Sequence, residues 1–328
     1  MGTDSNAPRL PTTVTSAEGG SGQQAFPYVT AHAFRAALKA RFTALAQTGG
    51  GFGFNELARQ FAYDRALARV FTAPDADRWV LKGGGALLTR LEGGARHSKD
   101  LDLYFTDQGA AADQAVRALR VALARDHFQF TVTAVDELQE AAKGSRAHVD
   151  ATLGATRYAR FHVDVVVGTA MTAPPDLVRP LTPLTLAGLV RPDYRAFPVP
   201  DHLADKLLAV HETHRAGGQA HISSRIKDLV DIALIAATQE VKGSALRTAV
   251  VVGALHRNQD LPTQFVVPDV WRAGYPKKAA ETARLAPDFD QAVDLARRLF
   301  DPVLQGPVDG QWDPVAARWI SLDRVLKS

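Results

Sequence analysis

The chain has 328 residues, 46% hydrophobic and 22% charged, with 38 Lys and Arg against 35 Asp and Glu for a formal net charge of +3. This composition excludes a disordered polymer, and the length suffices to bury a core without covalent staples. With no cysteine in the chain, disulfides, thiolate metal sites, iron–sulfur clusters and a Cys nucleophile are excluded.

Residues 1–24 are rich in Gly, Ser, Thr and Pro and read as a disordered leader. Phe34, Leu38, Phe42 and Leu45 recur at helical spacing, which predicts a helix over 31–47. Asn55 is the expected N-cap of a second helix, 56–71. Trp79-Val80-Leu81 reads as a short buried strand that runs through Lys82-Gly83-Gly84-Gly85 into a helical stretch, 86–91. Leu101 to Phe105 alternates as a strand, 110–125 is helical, and 128–135, 148–153 and 158–167 are strand candidates. Seven prolines punctuate 172–200, which fits a connector or an edge-strand region. Beyond it the pattern is helical over 201–213, 223–238, 244–258 and 288–304, with a last helix expected from Pro314. The expected class is therefore α/β or α+β: a core with a mixed sheet flanked by helices over 25–172, a Pro-rich connector over 173–200 and a helical domain over 201–328. The chain has no run of about 18 apolar residues and no secretory signal pattern, so no membrane partner and a cytoplasmic location are expected.

Three elements carry chemistry. Lys82-Gly83-Gly84-Gly85 lies between a strand and a helix, where glycines let backbone N–H groups approach an anion. Tight packing is the alternative, and the segment lacks the Gly-Lys-Ser/Thr ending of a Walker A loop. In Ser98-Lys99-Asp100-Leu101-Asp102-Leu103 the two acids sit two apart at a strand start, so both carboxylates share one face. Such a pair is self-repelling unless a cation joins it, and its hard oxygens suit Mg²⁺ or Mn²⁺; a solvated strand edge is the alternative. Asp164 lies inside His162-Val163-Asp164-Val165-Val166-Val167, where an ionised acid requires a partner, either a salt bridge or a shared metal.

Gly-Gly, Ser, Asp-x-Asp and a strand Asp some 60 residues later resemble the polymerase-β-type nucleotidyltransferase superfamily. Residues 79–87 with Arg96-His97-Ser98-Lys99-Asp100-Leu101-Asp102-Leu103 are similar to the AbiEii/AbiGii-type nucleotidyltransferase toxins of type IV toxin–antitoxin systems, which include the MenT-like mycobacterial toxins. Asp205-Lys206-Leu207 and Arg225-Ile226-Lys227-Asp228-Leu229-Val230-Asp231 extend the match, which runs from about residue 55 to 240. The resemblance implies transfer of a nucleoside monophosphate from an NTP to RNA, with the tRNA 3′ end as the expected acceptor, pyrophosphate as the leaving group and a cognate antitoxin as partner. It implies Asp100, Asp102 and Asp164 as Mg²⁺ or Mn²⁺ ligands, and Asp100, Asp102, Asp164, Lys206 and Asp228 as the catalytic set. Lys82, Gly83, Gly84, Ser98 and Lys206 are implied as the nucleotide-binding set, with a structural role the alternative for Lys82. A small-molecule or protein hydroxyl as acceptor, and a catalytically silent nucleotide-binding regulator, are the competing readings. Arg215, Arg225, Lys227, Lys242, Arg247, Arg257, Arg272, Lys277 and Lys278 are candidates for an RNA surface, with scattered solvated charge the alternative for each. His211-Glu212-Thr213-His214 has the wrong spacing for a zinc helix, Ser223-Ser224 is expected to cap the helix carrying Asp228, and Trp271, Trp312 and Trp319 are expected as packing anchors.

Overall fold

A computed structural model describes residues 25–47, 52–91, 95–96, 98–107, 111–120, 123, 126–138, 143–212, 214–216, 219–221, 225–282 and 288–321. The leader 1–24 and the cap expected at Ser223-Ser224 lie outside these residues. The first half contains α1 (Ala31–Gln47), α2 (Phe54–Val70), β1 (Trp79–Lys82), α3 (Gly83–Arg90), β2 (Asp100–Phe105), α4 (Ala111–Leu119), β3 (Phe128–Glu137), β4 (Gly144–Leu153) and β5 (Thr156–Val167). The Pro-rich stretch adds β6 (Asp176–Val178) and β7 (Tyr194–Ala196). Then follow α5 (Val199–His211), β8 (His214–Ala216), β9 (Gln219–His221), α6 (Ile226–Ala236), β10 (Val241–Lys242), α7 (Gly243–His256), α8 (Tyr275–Ala279), α9 (Phe289–Gln305), β11 (Gln311–Asp313) and β12 (Arg318–Ile320).

Seven strands form one mixed sheet in the order β3-β4-β5-β2-β1-β7-β6. The period-2 alternation gives this sheet two unlike faces. Leu101, Leu103, Ala147, Val149, Phe161, Val163 and Val165 are buried in the main core, which also holds Phe34, Phe61 and Leu119 of α1, α2 and α4. Arg146, His148, His162, Asp100 and Asp102 alternate with them and are half-buried. The hydrophobic effect therefore fixes the register, and a slip of one residue would turn the acids into the core. On the polar face, Val80, Tyr104 and Phe197 make a small separate apolar cluster. The main core continues through Leu203, Leu207, Ile232, Leu246, Leu299 and Trp312, so the helical half packs on the same apolar body.

Several local expectations are corrected. The chain enters α2 at Gly53, not Asn55: Gly53 N–H donates to Glu56 Oε2 at 2.8 Å, and its carbonyl accepts from Glu56 N at 3.1 Å. The described helix α4 ends at Leu119, short of the expected residue 125. Strand β4 begins at Gly144, four residues before the expected start, because it pairs with β5 back to Val166. On its other side, the pairing of β3 with β4 shifts register between Val132 and Ala134.

The stretch 173–200 is held onto the fold by a buried acid on α2. Asp64 accepts from Leu181 N at 2.7 Å, Thr182 N at 2.9 Å and Tyr194 O–H at 2.7 Å, as well as from the Thr182 hydroxyl. These bonds bring β7 alongside β1, parallel, with Leu81 opposite Ala196. The helix expected from Pro314 is instead the turn of a β11–β12 hairpin. Asp313 Oδ1 accepts from Val315 N at 2.9 Å and Ala316 N at 3.0 Å, an Asx turn that competes with helix initiation. Trp312 and Trp319 pair across the strands with ring centroids 5.6 Å apart, and Trp312 Nε1 donates to the Ala236 carbonyl at 2.6 Å.

Replacing Asp64 with Ala strands two backbone donors and the Tyr194 hydroxyl in the core. It should lower unfolding stability by about 3 kcal/mol, read from urea denaturation.

Candidate active site

Strand β1 is buried along its whole length and delivers Lys82 and Gly83 to the polar face. Gly83 has φ +55°, and a Cβ there would stand 1.8 Å from Asp102 Oδ2. Only glycine allows that approach. Gly84 is packed on Ser98, whose Oγ would lie 2.7 Å from an added Cβ. Ser98 is itself buried, and its hydroxyl donates to the Asp100 carbonyl at 3.0 Å, which fixes the first residue of β2.

Strand register then assembles a row of charge across the sheet. Lys82 pairs with Asp102 on antiparallel neighbours, Asp102 with Asp164 on parallel neighbours, Asp164 with Arg146, and Arg146 with Asp136. The signs alternate except where Asp102 meets Asp164. Asp100 adds a second acid one pleat away on β2, opposite His162. Burial, then the charges of Asp100 and Asp164, push the Asp102 pKa up to about 6, against the opposing pull of Lys227 and Lys82. Asp164 has a partner already: Arg146 donates to it through Nε at 2.7 Å and through a terminal nitrogen at 2.6 Å. Those bonds raise the Arg146 pKa above the usual range, so the guanidinium is firmly charged. Lys82 lies 3.5 Å from Asp205 Oδ2 and 4.4 Å above the Phe197 ring.

A second cluster faces this row from the helices. Lys206 of α5 donates from Nζ to Asp228 at 2.9 Å and to Asp231 at 2.6 Å, both on α6. Arg96 grips Asp231 through two bonds of 2.9 Å each. Burial alone would discharge Lys206, but the two acids overcome it and raise its pKa. Burial likewise opposes the charge on Asp231, and Lys206 and Arg96 hold its pKa down at about 2.

The two clusters line one cleft of about 2290 Å³. Gly83, Gly84, Ser98, Asp100, Asp102, Arg146, Asp164, Lys206 and Asp228 all reach it. Lys82 also lines it, with most of its surface buried. Of the expected basic surface, Arg225, Lys227 and Arg257 line the cleft, with Arg257 paired to Asp205 and Glu212 and Arg225 3.6 Å from Asp228. Arg247 instead donates to the Val303 and Leu304 carbonyls, Arg272 is forked on Asp290, and Lys278 pairs with Glu281. The side chain of Arg215 lies outside the described residues; Lys242 and Lys277 are exposed. His211 packs on Phe265 and accepts a long bond from Val266 N at 3.4 Å.

A divalent ion suits the carboxylate row. Its donors are hard oxygens, and burial together with the charges of Asp100 and Asp164 outweighs the pull of Lys227 and Lys82 on Asp102. Among the described residues no three acidic or imidazole side chains stand ready as a metal cage.

Comparison with protein families matches residues 65–295 to the model described as nucleotidyl transferase AbiEii toxin, type IV TA system. The chain belongs to the AbiEii nucleotidyltransferase toxin family. This AbiEii protein is accordingly a nucleotidyltransferase of a type IV toxin–antitoxin system, with an NTP as donor substrate and an antitoxin as partner. Among solved structures it shares its fold with MenT4, a nucleotidyltransferase toxin from Mycobacterium tuberculosis, at TM-score 0.54 and 17% identity over 82% of this chain and 88% of that one. Two proteins from Helicobacter pylori are more distant. JHP933 gives TM-score 0.37 at 14% identity, covering 74% and 93% of the two chains. A second protein, described as a nucleotidyltransferase, gives 0.42 at 13%, covering 77% and 96%. Comparison with curated protein sequences returns no match. Among the described residues no helix of the AbiEii protein is long and apolar enough to cross a membrane.

Three charged residues of the site have no role in the sequence reading. Asp231 and Arg96 both stand inside the motifs that carry the resemblance, and Asp231 is the i+3 neighbour of Asp228 on one helix face. Arg146 carries no motif signal, since only strand register brings it to Asp164.

Two outcomes follow from this geometry. Gly83→Ala places a methyl inside the Asp102 carboxylate, so the fold should persist by circular dichroism while nucleotidyl transfer falls at least about 100-fold. The folded-state pKa of Asp231 lies below the ordinary carboxylate value near 3.9. Its contribution to stability is thus complete above that value and is lost as pH falls through it towards 2. Melting temperatures measured from pH 7 to 2.5 should therefore drop more steeply for the native chain than for Asp231→Asn.

Proposed function

We propose that this AbiEii enzyme transfers a nucleoside monophosphate from an NTP to an RNA hydroxyl, the tRNA 3′ end, in a reaction that depends on Mg²⁺ or Mn²⁺ and blocks translation. The observation that carries the reading is the register pairing of Asp102 with Asp164 on adjoining parallel strands, beside Asp100 and at the wall of a cleft that Lys206, Arg225 and Lys227 also line.

Asp100, Asp102 and Asp164 are the residues that would hold the divalent ions. When bound, such ions neutralise the triphosphate and lower the pKa of an attacking hydroxyl. The rest belongs to the chain. Gly83 and Gly84 open helix α3, so their N–H groups and the positive end of the helix receive the β- and γ-phosphates. Ser98 holds Asp100 in place and supplies a short side chain against which Gly84 can close. Lys206, kept charged by Asp228 and Asp231, presents a fixed cation to the triphosphate side of the cleft. Lys82 tempers the negative charge on Asp102. The acceptor oxygen bonds to the α-phosphorus, the bond to the β-phosphate breaks, and pyrophosphate leaves. Arg225, Lys227 and Arg257 supply positive charge for an RNA backbone at the same cleft. The cytoplasm, where tRNA and NTPs meet, is the corresponding place of action.

Asp102→Asn should abolish transfer, at least about 100-fold, while leaving the melting temperature unchanged or higher, because it removes one of three repelling charges. The measurement is incorporation of each α-labelled NTP into total tRNA with Mg²⁺ or Mn²⁺. Label found in protein or small-molecule fractions and not in RNA would overturn the acceptor assignment.

A further inference from the structure

Arg146 is the cation that the motif does not supply. Its fork takes a lone pair on each oxygen of Asp164, at 2.7 and 2.6 Å. Its positive charge also repels any divalent ion brought to that carboxylate. The two partners are unequally held: the Asp164 side chain is 12% exposed, that of Arg146 38%. The acid is fixed in the sheet while the base stands at the open cleft. A second acid lies across the strand from Arg146: Asp136 is its register partner on the edge strand β3, with an exposed side chain that already meets His148 Nε2 at 2.6 Å. A guanidinium displaced from Asp164 towards Asp136 stays in the field of an acid, shared there with His148.

We propose that Arg146 is a built-in counter-ion, which neutralises Asp164 in the metal-free enzyme and is displaced by the arriving divalent ion. It therefore sets the metal affinity of the site. The inference rests on the reading of Asp164 as a metal ligand.

The test is calorimetric titration of Mn²⁺ alone into the full chain, with the Mn²⁺-induced rise in melting temperature as a second readout. Arg146→Gln removes both the competing bonds and the repelling charge, so it should bind Mn²⁺ about tenfold more tightly. Its melting temperature should be lower than native without metal and should rise further on Mn²⁺ addition. Arg146→Lys keeps the charge but loses the fork, and should tighten binding by a smaller factor; it also carries the test if the Gln variant does not fold. Unchanged or weaker Mn²⁺ binding in these folded variants would make Arg146 a permanent partner of Asp164 and overturn the proposal. Asp164→Asn separates the two claims. If it binds Mn²⁺ as tightly as the native chain, the reading of Asp164 as a ligand fails, and the counter-ion role fails with it. If it binds weakly while the Arg146 variants do not tighten, only the counter-ion role fails.

Discussion

Two aspartates on parallel neighbouring strands face each other in this protein, and the arrangement around them follows from that conflict. Burial and then the Asp100 charge raise the Asp102 pKa, and the negative charge of Asp164 adds to them. The sheet supplies partial relief at either end of the row, Lys82 on β1 and Arg146 on β4. In the middle, burial first and then the charges of Asp100 and Asp164 still raise the Asp102 pKa. Stability alone would favour removing one of these acids. The rigid sheet, with its opposite face committed to the core, holds them in place despite that cost.

The helical half solves the reverse problem. Lys206, Arg96, Asp228 and Asp231 are all largely buried, and their charges sum to zero. Such a cluster costs desolvation that its mutual attraction repays only with good geometry, which the bonds of 2.6 to 2.9 Å provide. The benefit is orientation. One cluster carries an excess of acid, and the other holds its Lys206 between two acids. The cleft runs between them.

Much of this was legible in the sequence, for identifiable reasons. Asp100 and Asp102 were assigned one face because strand periodicity is strict, and the apolar residues on either side fix which face is inward. Asp164 was conspicuous as an acid inside a β-branched run. Lys206 and Asp228 came from the family resemblance, not from periodicity. Arg146 was invisible because nothing local distinguishes it: it lies 18 residues from Asp164, and only hairpin register makes them partners. The segment from Pro314 failed for a different reason. Its composition permits a helix, but the Asp313 turn and the Trp312–Trp319 contact are tertiary choices that override propensity. Strand β7 and the edge strand β6 depend in the same way on Asp64, more than a hundred residues upstream.

The irregularity between Val132 and Ala134 has a bearing beyond local geometry. Strand β3 is ten residues long and forms one margin of the seven-stranded sheet, so its outer amides and carbonyls make a template for foreign strands. A bulge partway along breaks the regular spacing of those groups. The acids Asp136 and Glu137 at its far end add repulsion between like copies. A chain that keeps one broad sheet face polar for its chemistry thereby also protects its open margin from zipping onto another molecule.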